Sequence, residues 1–103
     1  MLTHVVLMRF ADPADAPEAR RRLEQLAPLV REIRSMTLGL DVLGTPVSYH
    51  LSMITSHAGP DELAAYQRHP EHLLLAEWLR PRLADRAVVD SLEVEPLDGP
   101  DAG

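Results

Sequence analysis

The 103-residue chain has no cysteine and no lysine; its ten basic residues are all arginine. Thiol nucleophiles, disulfides, cysteine-bound zinc and Schiff-base chemistry are therefore excluded. Basic charge is also scarce overall. The formal net charge of −6 leaves no basic face for phosphate backbones, so nucleic acid is not an expected partner. No apolar run is long enough to span a bilayer, and no membrane partner is expected. Residues 1–10 lack a basic start and are interrupted by Arg9, unlike a secretory leader, so a cytoplasmic location is expected. There is no phosphate-binding glycine loop and no G-x-S-x-G nucleophile turn. Aromatic residues are few, with one Trp, two Tyr and one Phe. A tyrosine set beside several histidines therefore stands out.

What is present fits one soluble globular domain: 46% hydrophobic and 25% charged residues over a single-domain length. A domain this small has a limited core and gains much from association. Residues 1–95 are read as the domain, and 96–103, with two prolines and two glycines, as a loosely ordered tail.

The chain is organised around Tyr66-Gln67-Arg68-His69-Pro70-Glu71-His72. Pro70 biases His69 away from helical angles, so a helix opening at Pro60 should end near His69. Pro70 can also begin a second helix, where its missing N–H costs nothing. Tyr66, His69 and His72 then gather at a helix–helix corner, with His69 as a cap. The apolar run from Leu73 to Leu83 continues as helix, with Trp78 as a core anchor.

Elsewhere, Leu2 to Phe10 reads as a strand apolar on both faces, so both faces need cover. One layer of helices covers only one of them, which points to a homodimer. Asp15 to about Arg34 reads as a helix capped by Asp15 with Glu18, carrying a Leu23, Leu26, Ala27, Val30, Ile33 stripe and interrupted at Pro28. Arg20, Arg21 and Arg22 belong on its solvated face. Met36 to Leu43 reads as an edge strand with a bulge at Gly39. Val47 to Thr55 reads as a strand with Tyr49, Leu51, Met53 and Thr55 on one face and His50 on the other. Ala87 to Val94 is the last strand and carries Asp90, a carboxylate that needs exposure or a partner. Strand, helix, strand, strand, broken helix, strand is the α+β, ferredoxin-like βαββαβ order.

Four stretches, Thr3 to Phe10, Tyr49-His50, Tyr66 to His72 and Val88-Val89-Asp90, resemble the stress-responsive dimeric α/β-barrel (Dabb) family over about residues 2–95. The resemblance implies a four-stranded antiparallel sheet with helices on one face. Two such sheets face each other across a homodimer, forming a dimeric α/β barrel. A cavity between sheet and helices would hold a small hydrophobic molecule. The family includes plant stress proteins and a polyketide cyclase in which a tyrosine and a histidine of the corner motif are linked to an aldol condensation. Tyr66 and His72 match those positions. His4, His50 and Asp90 match other polar residues of that cavity.

These residue types suit one kind of chemistry. A near-neutral imidazole removes a proton from carbon next to a carbonyl. A phenol hydrogen-bonds the enolate oxygen, and a carboxylate fixes the imidazole tautomer. The expected catalytic set is His72 as base, Tyr66 as oxyanion donor and Asp90 orienting His72, with His4 and His50 binding substrate. No cofactor is needed. No metal is expected, because Pro70 breaks the register between His69 and His72 and zinc takes three or four ligands. Three functions stay open: a cofactor-independent polyketide cyclase or aldolase-like enzyme acting on a small hydrophobic carbonyl compound, a non-enzymatic stress-responsive or ligand-binding dimer, and a cofactor-free monooxygenase. The fold cannot choose among them.

Overall fold

The computed structural model describes residues 1–92 and 95–100. Strand β1 (Leu2–Phe10) is followed by helix α1 (Asp15–Leu26), strands β2 (Ser35–Leu40) and β3 (Leu51–His57), helices α2 (Pro60–Arg68) and α3 (Pro70–Leu79), and strand β4 (Leu83–Ser91). The strands form one antiparallel sheet in the order β2-β3-β1-β4. This is the expected α+β, βαββαβ ferredoxin-like arrangement.

Alternation decides which face is covered. Along β1 the even-numbered residues from Leu2 to Phe10 are buried and the intervening ones only half-buried. Leu51, Met53, Thr55 and His57 are the buried set on β3. With Ala16, Ala19, Leu23 and Leu26 of α1, Val30, and Leu63 and Tyr66 of α2, they make the core between sheet and helices. On the opposite face the register aligns Val5 with Ile54 and Val89, and Leu7 with Ala87. Ile54 and Val89 are exposed there.

Several boundaries differ from the sequence reading. Helix α1 stops at Leu26 and passes into a single 3₁₀ turn, Ala27–Leu29, because Pro28 cannot continue the hydrogen-bond ladder. Asp15 is its first helical residue, not its cap. Glu18 hydrogen-bonds Arg21 and Arg22 instead of closing a capping box, and the two guanidiniums hold its carboxyl at about 2. Gly39 makes no bulge, since β2 and β3 pair without a register shift. Strand β3 starts at Leu51 rather than Val47, which leaves His50 outside it, and it runs on to His57. Helix α3 ends at Leu79 rather than Leu83, and β4 runs from Leu83, not Ala87, to Ser91; residues 93–94 of its expected extension lie outside the described residues.

The break at Pro70 is where the sequence placed it. His69 takes extended angles and ends α2, and its Nδ1 accepts the Glu71 N–H to cap α3. Trp78 packs against the core with its ring between the Arg22 and Arg82 guanidiniums, at 4.3 and 4.4 Å. These contacts tie α3 to α1.

The core assignment makes a direct prediction. Leu51→Ala, at a site 1% exposed, should lower unfolding free energy by about 2–5 kcal/mol. Leu43→Ala, in the exposed β2–β3 connection, should change it by less than about 0.5 kcal/mol. Urea denaturation of the two variants checks the difference.

Candidate functional site

A cavity of about 380 Å³ lies between the helix-facing surface of the sheet and the helices. Its sheet wall includes His4, Val6 and Met53. Its helical wall includes Tyr66, His72 and Leu75. Pro70 makes the helical wall possible, because the break lets α3 start in a new direction and returns His72 to Tyr66. Their rings meet edge to face with centroids 4.8 Å apart. Three of the residues expected from sequence, His4, Tyr66 and His72, therefore share one cavity.

Asp90 joins them, but through a different partner than expected. The register of β1 and β4 sets Asp90 directly across from His4. Its Oδ1 lies 2.5 Å from His4 Nδ1, and Asp90 makes no hydrogen bond to His72. A carboxylate only accepts, so His4 carries a proton on Nδ1, and in the neutral ring Nε2 is the bare nitrogen. The expectation that Asp90 orients His72 is thus corrected: it orients His4.

His50 is not part of this cavity. It lies just before β3, where its Nδ1 accepts the Phe10 N–H at 2.9 Å and its ring stacks on Phe10. It lines a separate open groove with Pro13, Leu40 and Thr45. It closes the end of β1, and the expectation that it shares the cavity wall with His4 is corrected.

A histidine that sequence reasoning missed takes a central place. His57 is wholly buried and stacks on Tyr66 with centroids 5.3 Å apart. Its Nδ1–H donates to the Glu32 carbonyl at 2.8 Å, and its Nε2 accepts from the Thr55 hydroxyl at 2.8 Å. The signal was available in the sequence, since His57 continues the Leu51, Met53, Thr55 alternation by one further step.

The electrostatics follow from enclosure. Burial pushes the Tyr66 phenol up to about 12, so it remains a proton donor. Burial also pushes His57 and His72 below the ordinary histidine value. For His72 the Gln67 backbone opposes the shift, while the charges of Arg80 and Arg86 add to it. Both imidazoles are neutral at neutral pH. The His72 Nδ1 is buried and makes no hydrogen bond of normal geometry. Among the described residues, no group of three or more metal-ligating side chains comes together, and no helix is long and apolar enough to cross a membrane.

Residues 2–92 match the model of the stress responsive A/B barrel domain (Dabb) family. The chain belongs to that family. No curated protein matches the sequence. Among solved structures, a dimeric ferredoxin-like protein of unknown function from Thermobifida fusca is 27% identical, with a TM-score of 0.77 over 87% of this chain and 88% of that one. A hydroxynitrile lyase from Passiflora edulis has the same TM-score at 12% identity, covering 94% and 96% of the two chains. An antibiotic biosynthesis monooxygenase reaches 0.73 at 16% identity, over 92% and 100%. The last two likenesses show the fold alone. The Dabb fold thus carries the cavity.

The lowered imidazoles link this site to stability. Below the ordinary histidine value of 6.5, the unfolded chain takes up protons that folded His57 and His72 refuse, so stability falls as pH drops. It is regained as pH rises above that value. His57→Phe keeps a ring beside Tyr66 but leaves the Glu32 carbonyl and Thr55 hydroxyl without their partner. It should be less stable than the parent near pH 7, and should lose less between about pH 7.5 and 5.5. Urea midpoints measured across that range test both the sign and the residue.

Proposed function

We propose that this Dabb domain is a cofactor-independent enzyme of the cyclase, aldolase or lyase kind, acting on a small hydrophobic carbonyl compound by proton transfer next to the carbonyl. The observation that carries the reading is the Asp90–His4 pair opening onto the same enclosure as Tyr66 and His72. A carboxylate bonded to Nδ1 leaves Nε2 as the atom that takes a proton, and stabilises the imidazolium that results. In this reading His4 is the general base, a change from the role first expected for His72. The Tyr66 hydroxyl, held protonated by burial, donates to the oxyanion that develops on the carbonyl. Neutral His72 packs against the Tyr66 ring and holds it in place. Leu23, Leu75 and Leu79 give the cavity its apolar lining and keep bulk water from the charge that develops.

The proposal includes a homodimer formed through the sheet face that the helices leave uncovered. Val5, Leu7, Ile54, Ala87 and Val89 lie on that face. A contiguous apolar sheet surface of this kind is expected to be buried against a partner. The similar protein from Thermobifida fusca is described as dimeric. A second copy placed there would leave each cavity on the outer, helical side of its own sheet.

Proton transfer is read most simply by deuterium wash-in to the methyl group of acetophenone and related small ketones, followed by proton NMR. Exchange should exceed the buffer rate, and His4→Ala and Tyr66→Phe should each reduce it by about a hundredfold or more. Unaccelerated exchange across aryl and alkyl ketones would refute the enzyme reading. For the dimer, light scattering should give twice the chain mass, and Ile54→Asp should shift it toward one chain mass. A parent protein that is monomeric at micromolar concentration would refute the interface.

A further inference from the structure

We propose that the cavity selects carbonyl compounds that also carry a carboxylate, and that Arg80 and Arg86 at its rim bind that group. The inference rests on the carbonyl-site reading above and names the substrate class for it. Arg80 opens the 3₁₀ turn after α3, and Arg86 sits on β4 across from Met8, so the two cations reach one enclosure from different elements. Both are exposed residues that nevertheless line the cavity, which places them at its mouth.

Most other arginines of the chain are already engaged. Arg20, Arg21 and Arg22 pair with Glu24 and Glu18, Arg9 lies over the Tyr49 ring, and Arg82 bonds the Trp78 carbonyl and stacks on its indole. Among the described residues, Arg80 and Arg86 form no ion pair. Two carboxylates of β4 have other partners: Asp90 is bonded to His4, and Asp85, pointing to the other sheet face with Arg9, accepts from the Tyr49 hydroxyl. Two uncommitted guanidiniums at one cavity are not a by-product of a basic surface, because the chain carries a net charge of −6.

Their field also reaches the side chains of the cavity wall. Both arginines disfavour the charged form of His72, and Arg86 favours the ionised form of Tyr66. A bound anion would offset that field. The planar guanidinium fork matches a carboxylate in two-point contact, and it is weakly hydrated enough to work at a partly enclosed rim. The deeper wall around Leu23 and Leu75 is apolar. A ligand matched to this layout has an apolar body, a carbonyl within reach of His4 and Tyr66, and an acidic end directed at the mouth.

Benzoylpropionate and its uncharged methyl ester separate the alternatives by titration calorimetry on the full chain. The acid should bind about tenfold more tightly than the ester, and added salt should narrow the gap. In Arg86→Gln, and more fully in the Arg80→Gln, Arg86→Gln double variant, the acid-to-ester ratio should approach one. Equal affinity in the parent protein, or a preference that survives the double variant, overturns the assignment while leaving the carbonyl-site reading in place. Binding of neither compound overturns both. Displacement of the acid by equimolar inorganic phosphate would mark the rim as a phosphate site and overturn the carboxylate assignment.

Discussion

The helix-facing surface of the sheet carries polar groups where a small domain would be expected to place only hydrocarbon, and their need for partners organises the rest. Asp90, His4 and Thr55 stand side by side on β4, β1 and β3. His4 and Thr55 are buried, as is His57. Burying such groups without hydrogen bonds would cost several kcal/mol. Here each finds a partner. His4 bonds to Asp90, Thr55 to His57, and His57 to the Glu32 carbonyl in the segment between α1 and β2. The chain of contacts crosses the sheet from its edge strand β4 toward the connection that leads into β2. It fixes ring orientations and tautomers that apolar packing alone would leave undetermined.

The second constraint is covalent. Pro70 prevents one continuous helix, and the corner it produces is held by the hydrogen bond from the Glu71 N–H to the His69 ring. Tyr66 thereby lies between two imidazoles, stacked on His57 and met edge-on by His72. An enclosed phenol with aromatic neighbours on two sides has few rotamers open to it. The phenol oxygen is consequently held at one position on the cavity wall, as the proposed donor role requires.

Much of this was legible in the sequence because it depends on local rules. The proline break, the His69 cap and the buried alternation of β1 follow from steric and periodic constraints within a few residues. Placing Tyr66, His4 and His72 together required the family resemblance as well. What failed depended on register and strand ends. His50 precedes β3 and its number falls out of step with the helix-facing Leu51, Met53 and Thr55, so it closes β1 against Phe10 instead of lining the cavity. The expected strand stops at Thr55, whereas the alternation continues through Ser56 to the buried His57. The partner of Asp90 depends on how β4 aligns with β1 across a sequence separation of 86, and no local pattern encodes that alignment.

The central claim is that Asp90 serves His4, leaving His4 Nε2 free to take a proton inside the cavity. Nitrogen-15 NMR of the histidine rings tests it directly, since protonated and bare ring nitrogens have well-separated shifts. In the parent protein near neutral pH, His4 should appear as the Nδ1–H tautomer. Asp90→Ala should change the His4 signals strongly while leaving those of His72 close to their original positions. A His4 ring protonated on Nε2 with Nδ1 bare, or an Asp90 variant that perturbs His72 and spares His4, would contradict the account.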